Sequence, residues 1–62
     1  MPTQQDVLDA FDSLGGKVNQ PMAIRKALEK AGFDVGAVAH AIDAALAAGV
    51  LVLEPSGSIR KA

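Results

Sequence analysis

Cysteine is absent from the sequence, which excludes both a disulfide framework and a metal site built on thiolates. The single histidine has no second histidine or cysteine to share a metal ion with, which argues against a zinc-type site. No apolar run approaches the roughly 18 residues that a membrane-spanning helix needs. The polar, acidic residues 1–6 are unlike a secretory signal. We therefore expect a cytoplasmic chain with no cofactor, no membrane contact and no small-molecule substrate.

An excess of charge of one sign is also missing. Six Lys and Arg residues face seven Asp and Glu residues, and the formal net charge is −1. This balance argues against binding of nucleic acids through bulk positive charge but leaves local patches open. Asp6, Asp9 and Asp12 recur every three residues, as on a solvated helix face, whereas acid–base chemistry needs carboxylates in a cleft. Because no nucleophile–base pair can be assembled either, we do not expect an enzyme.

What the sequence has in quantity is apolar residues, at 50% of the chain, and many of them are alanine. Alanine buries little area, so at roughly 25 cal/mol per Å² the core leaves a margin of about a few kcal/mol over chain entropy. Self-association is one way in which such a chain adds buried surface. The large apolar residues expected in the core are Val7, Leu8, Phe11, Leu14, Ile24, Leu28, Phe33, Val38, Ile42, Leu46, Leu51, Leu53 and Ile59.

Apolar periodicity predicts three helices, over residues about 4–14, 21–31 and 35–48. Thr3 and Asp34 occupy N-cap positions, where a side-chain oxygen accepts a hydrogen bond from a free backbone N–H. Pro21 suits a first helical turn, since its missing N–H is not needed there. Glycine follows each helix, where a left-handed backbone commonly ends it, at Gly15, Gly32 and Gly49.

The third predicted helix has an apolar face and a face of small residues. Its inward positions are predicted to be Val35, Val38, Ile42, Ala45 and Leu46. The opposite face is predicted to hold Gly36, Ala37, His40, Asp43, Ala44 and Ala47. That face is an ordinary helix surface in one interpretation, because alanine is the best helix former. In the other it is a contact surface, because small residues let a partner helix approach closely.

Residues about 50–61 are predicted to form a β-hairpin around the turn at residues 55–57. Val18 could add a further short strand. The run Val50-Leu51-Val52-Leu53 is apolar on both faces, whereas a strand half-exposed to water should alternate. Its second face is either covered by the first helix and the chain termini or left as a patch for a partner.

The order helix, short strand, helix, turn, helix and hairpin resembles the winged helix-turn-helix family over residues about 3–61. The most specific part of the resemblance is Ala31-Gly32-Phe33-Asp34, followed by Val38, Ile42 and Ala45 and then by Ala48-Gly49-Val50-Leu51. A length of 62 residues predicts a single domain over residues 1–62. Its expected fold is mainly α with a small antiparallel β-hairpin, an α+β class.

Members of this family usually read DNA with the third helix, so the resemblance implies a DNA-binding domain of a regulator. The matching positions here are Gly36, Ala37, Ala39, His40 and Ala41, and only His40 can hydrogen-bond a base edge. We therefore expect weak contacts dominated by phosphates, with the acidic stripe of the first helix turned away from them. The candidate nucleic-acid-binding residues are Gln20, Arg25, Lys26, His40, Ser58, Arg60 and Lys61.

A protein–protein interaction or dimerisation domain with no DNA binding is the alternative. It is favoured by the near-neutral charge, the small residues of the third helix and the doubly apolar strand. His40 is then an interface group, a pH-sensitive switch or simply a solvated side chain. The basic cluster around Arg25 is a solvated helix face in this interpretation. The candidate interface residues are Ala37, Ala44, Ala47 and Val52.

Overall fold

A computed structural model describes residues 2–62 of the protein. In chain order the elements are α1 (Gln4–Ser13), β1 (Val18–Asn19), α2 (Pro21–Lys30), α3 (Val35–Ala47), β2 (Leu51–Leu53) and β3 (Ile59–Lys61). The α+β class predicted from the sequence is confirmed. Three helices with a small antiparallel sheet are compatible with a winged-helix-like fold.

Side-chain caps begin α1 and α3, as the sequence predicts. The hydroxyl of Thr3 accepts a hydrogen bond from the N–H of Asp6 at 3.1 Å, and the carboxylate of Asp6 accepts one from the N–H of Thr3 at 2.8 Å. This reciprocal capping box satisfies two donors that the helix leaves free. The carboxylate of Asp34 accepts from the N–H groups of Gly36 and Ala37 at 3.0 and 3.3 Å.

The start of α2 is tied to the hairpin. Gln20 occupies the N-cap position but makes no side-chain cap, and Pro21 follows it as the first helical residue. The side-chain amide of Gln20 instead donates a hydrogen bond to the hydroxyl of Ser58, with 3.0 Å between Nε2 and Oγ. Two segments 38 residues apart are thereby joined at the surface.

Two glycines set the direction of the chain as it leaves α2 and α3. Gly32 has φ +104° and Gly49 has φ +79°, in the region that side chains disfavour. Gly32 turns the chain from α2 into α3, and Gly49 turns it from α3 towards β2. Both positions were predicted to end helices.

The sheet has the order β1–β3–β2, and both strand pairs are antiparallel. The additional strand predicted at Val18 is therefore present. Ile59 in the central strand is opposite Asn19 on one side and Leu53 on the other. Directly opposed residues point to the same face of a sheet. The side chains of Leu51 and Ile59 lie on this face and pack into the core, and each residue is 1% exposed.

The core lies where α2 packs against both α1 and α3 and where the sheet closes one side. Its buried side chains are Val7, Phe11, Ile24, Leu28, Val38, Ala41, Ile42, Ala45, Leu51 and Ile59. Within residues 2–62, no charged or polar residue is buried among them. The core is thus held by apolar contact alone.

Three residues expected in the core are exposed instead: Leu14 at 39%, Val35 at 54% and Leu53 at 57%. Each lies at the end of its element. Leu14 caps the C-terminus of α1, Val35 is the first residue of α3, and Leu53 ends β2 before the turn. Periodicity assigns each residue to the correct face but does not show where the neighbouring elements stop.

Ala41 was expected at the DNA-facing surface, but it is 6% exposed and belongs to the core. Its small side chain lies on the same face of α3 as Val38 and Ala45. The acidic stripe of α1 was expected to be turned away from the candidate phosphate-binding residues, and for Asp12 this is corrected. Asp12 and Lys61 form an ion pair, with 2.9 Å between Oδ1 and Nζ.

Within residues 2–62, no helix has the length and apolar character needed to cross a lipid bilayer.

We expect Ile24→Ala to reduce the free energy of unfolding by about 2–5 kcal/mol, because it leaves a cavity where α2 meets the rest of the core. Ile24 is 0% exposed. Met22→Ala on the same helix is the matched control, since Met22 is 58% exposed and its loss should cost less than about 0.5 kcal/mol. Urea unfolding followed by circular dichroism measures both. An equal loss of unfolding free energy in the two variants would contradict the placement of Ile24 in the core.

Candidate interaction surfaces

The cations predicted to hold phosphates do not share one surface. Arg25 and Lys26 are consecutive in α2, so their side chains leave the helix about 100° apart. Arg25 is half-buried and borders a groove with α3 and the hairpin. Lys26 is exposed and borders a different groove, which α2 forms with the end of α1. Arg25 and Lys26 therefore border different surfaces of the domain.

Both cations of the hairpin have carboxylate partners. The Arg60 guanidinium lies 3.4 Å from Glu54, measured from Nε to Oε1, and Lys61 pairs with Asp12. All four side chains are a third or more exposed, so the pairs contribute little to stability. They do place a negative charge beside each positive one. A phosphate that contacts either cation therefore meets a carboxylate beside it.

The other candidates for DNA contact, Gln20, Ser58 and His40, differ in whether their side chains are free to bind. Gln20 and Ser58 are bonded to each other, so contact with a phosphate would have to compete with that bond. His40 is exposed on α3, and Asp43, also exposed, lies less than one turn further along. Its position leaves His40 accessible but beside a carboxylate.

The candidate interface residues are accessible to different degrees. Ala44 and Ala47 are exposed on α3, whereas Ala37 and Val52 are partly buried. Val52 lies in one row with Arg60 and Val18 across the sheet, on the face opposite Leu51. The second face of the strand is therefore neither fully covered nor a broad apolar patch.

One open groove lies between α3, the start of α2 and the hairpin, and we call it the α3–hairpin groove. Its volume is about 390 Å³. The residues that line it are Pro21, Arg25, Ala39, Ile42, Asp43, Leu46, Leu53 and Ile59. Ile42 and Ile59, both nearly fully buried, belong to its floor, and Leu53 forms an exposed wall.

Arg25 is the polar group of this groove with unused hydrogen-bonding capacity. Its Nε atom is buried and has no hydrogen-bond partner within residues 2–62. A buried donor without a partner is costly, and an acceptor from another molecule can reach this atom only if the Arg25 side chain moves. Asp43 supplies a carboxylate on the same groove. The site can thus accept an apolar side chain together with a polar group.

The edge of β2 is only partly open. Glu54 N–H donates to Ser58 and Ala62 N–H donates to Val50, so the alternate residues Leu51 and Leu53 turn their backbone groups away from β3. Leu51 is 1% exposed, which shields its part of the edge. Only Leu53 presents its backbone and side chain together. This short edge offers little to a strand from another chain.

A second groove, which we call the α1–α2 groove, runs along the other side of α2. Its volume is about 630 Å³. The residues that line it are Ser13, Leu14, Ala23, Lys26, Ala27, Lys30 and Ala31. It shares no residue with the α3–hairpin groove. The stripe of α2 that enters the core separates the two.

Sequence reasoning missed the roles of Leu53 and Leu14, the exposed apolar walls of the two grooves. Both had been assigned to the core. The available signal was their position, since each is the last large apolar residue before a turn. Whether another element covers these two side chains depends on packing between segments that are distant in sequence.

Comparison of the chain with protein-family models, with curated proteins and with solved structures finds no match. Over the described residues 2–62, no group of three or more His, Cys, Asp or Glu side chains is placed to hold a metal ion.

Proposed function

We propose that this chain is a small, non-catalytic interaction module of winged-helix type that docks a protein partner on α3 and the hairpin. The observation that carries the proposal is the α3–hairpin groove, whose apolar floor opens beside the exposed Leu53. Exposed apolar surface next to a groove is typical of a protein-binding site. A small domain without cysteine suits the cytoplasm, which we propose as its compartment.

The residues of α3 suit contact with a protein. Exposed Ala44 and Ala47 allow close approach of a partner, and Leu46 and Leu53 supply larger apolar surface beside them. Interfaces have an apolar centre with a polar rim, and Arg25 and Asp43 can provide such a rim. The partner is a different protein or a second copy of this chain.

Weak DNA binding is the second candidate, and one observation favours it. The Gln20–Ser58 hydrogen bond holds the start of α2 beside the hairpin, although a phosphate contact by either side chain would have to displace that bond. These are segments from which helix-turn-helix proteins contact phosphates. Against it are the ion pairs of Arg60 and Lys61, which place a carboxylate beside each cation of the hairpin. The protein-docking function is therefore the better supported.

Photo-crosslinking from position 53 tests the docking function. With benzoylphenylalanine in place of Leu53, irradiation of cells that naturally contain the protein should yield an adduct with one protein of defined mass. An adduct of twice the chain mass would identify a second copy. The matched control carries the same residue at Ser56, which is exposed in the turn of the same hairpin but outside the groove. Equal adducts from both positions, or adducts with nucleic acid alone, would contradict the proposal.

An NMR titration with an arbitrary DNA duplex at low salt tests the second candidate. We expect no saturable shifts for wild type up to about 100 μM DNA, the weak end of non-specific binding. The comparison is the double variant Asp12→Asn, Glu54→Gln, which frees Lys61 and Arg60 and changes the net charge from −1 to +1 by removing two negative charges. Wild-type shifts at residues 19–25 and 58–61 that saturate below that concentration would establish the DNA candidate instead.

A further inference from the structure

The α1–α2 groove has a floor of small side chains. Ala23, Ala27 and Ala31 recur every four residues along α2, so they lie on one side of it. They span about 12 Å, roughly two helical turns. Leu14, which is 39% exposed, borders the groove from the C-terminus of α1. A floor of this kind allows the backbone of another helix to come close, and Leu14 gives it an apolar contact.

The rim of the same groove is positively charged. Lys26 and Lys30 are both exposed and lie four residues apart on α2. Neither forms an ion pair or a side-chain hydrogen bond within the part of the chain that the structure describes. Two carboxylates adjoin the groove lining in sequence: Asp12, which is engaged by Lys61, and Glu29, which does not itself line the groove. Two positive charges thus border an apolar floor, and no carboxylate is among the residues that line the groove.

These two features together specify the chemistry of an occupant. Side chains four residues apart on a helix are about 5–6 Å apart, so carboxylates at the same spacing on a neighbouring helix can face both lysines. The apolar stripe of that helix would cover the alanines and Leu14. A nucleic acid fits less well, because two cations hold few phosphates and the floor offers no donors to bases.

We propose that the α1–α2 groove docks an acidic amphipathic helix from a partner protein. The partner helix carries an apolar stripe that packs on Ala23, Ala27 and Leu14. Glu or Asp residues four apart flank the stripe and pair with Lys26 and Lys30. This site is separate from the α3–hairpin groove, so it stands whether or not that groove binds a protein. With both grooves occupied, the chain would bridge two partners.

The probe is a synthetic amphipathic peptide of about 18 residues, long enough to form a helix. It carries Glu pairs four residues apart beside an apolar stripe, and its control has Gln in place of every Glu. Titrated into the ¹⁵N-labelled full chain at low salt, the Glu peptide should shift amides of residues 13–14 and 23–31 saturably. It should leave residues 39–46 and 53 unshifted. We expect about fivefold weaker binding of the Gln peptide, as two exposed ion pairs would give.

Charge reversal distinguishes binding at this site from non-specific binding of the peptide. The double variant K26E, K30E should lose binding of the Glu peptide by tenfold or more and bind a Lys-for-Glu peptide in its place. Both lysines are exposed, so the fold should survive the change. Ala27→Gln should block the floor, whereas Ala48→Gln, at the exposed C-cap of α3 and outside both grooves, is its matched control.

Several outcomes would overturn the proposal. These are equal binding of the Glu and Gln peptides, shifts outside the groove, or no saturable binding at millimolar peptide. Stronger shifts of the same amides by duplex DNA would overturn it in favour of a nucleic acid. None of these results bears on the α3–hairpin groove, which is tested by crosslinking at position 53.

Discussion

The packing of α2 against both α1 and α3 is the interaction on which the rest of the structure depends. Its apolar stripe is narrow: only Ile24 and Leu28 are fully buried in it. A narrow stripe leaves both flanks of the helix accessible, and the helical period decides which side chains occupy them. Arg25 goes to the flank shared with α3, and Lys26 and Lys30 go to the flank shared with α1. The packing of α2 therefore leaves a groove on each side of the helix, with Arg25 on one and Lys26 and Lys30 on the other.

The two grooves differ in charge, which suits them to different partners. In the α3–hairpin groove Arg25 is accompanied by Asp43, and the nearby hairpin cation Arg60 is paired with Glu54. Apolar contact must supply most of the binding there. The α1–α2 groove is lined by two lysines and by no carboxylate, so electrostatic attraction can select an acidic partner. The chain as a whole is close to neutral, and the difference arises only from where the charges lie.

Local features of this fold could be predicted from the sequence, and features that depend on distant segments could not. The cap at Thr3 depends on residues within one turn, and the sequence predicted it correctly. Periodicity also placed Leu53 on the inward face of β2, but whether a residue at the end of a strand is covered depends on elements elsewhere. The ion pair of Asp12 with Lys61 joins residues 49 apart, so no local pattern could reveal it. For the same reason the candidate DNA-binding residues looked like one patch in sequence but are divided in space.

The most direct test of this arrangement is the accessibility of individual methyl groups to solvent. A soluble gadolinium chelate increases the relaxation rate of methyl protons that it can approach, and NMR resolves each leucine and isoleucine. The structure predicts strong relaxation at Leu14 and Leu53, which border the two grooves, and weak relaxation at Ile24 and Leu51, which are fully buried. Protection of Leu53 equal to that of Leu51 in dilute, monomeric protein would contradict the account, because the α3–hairpin groove would then be closed.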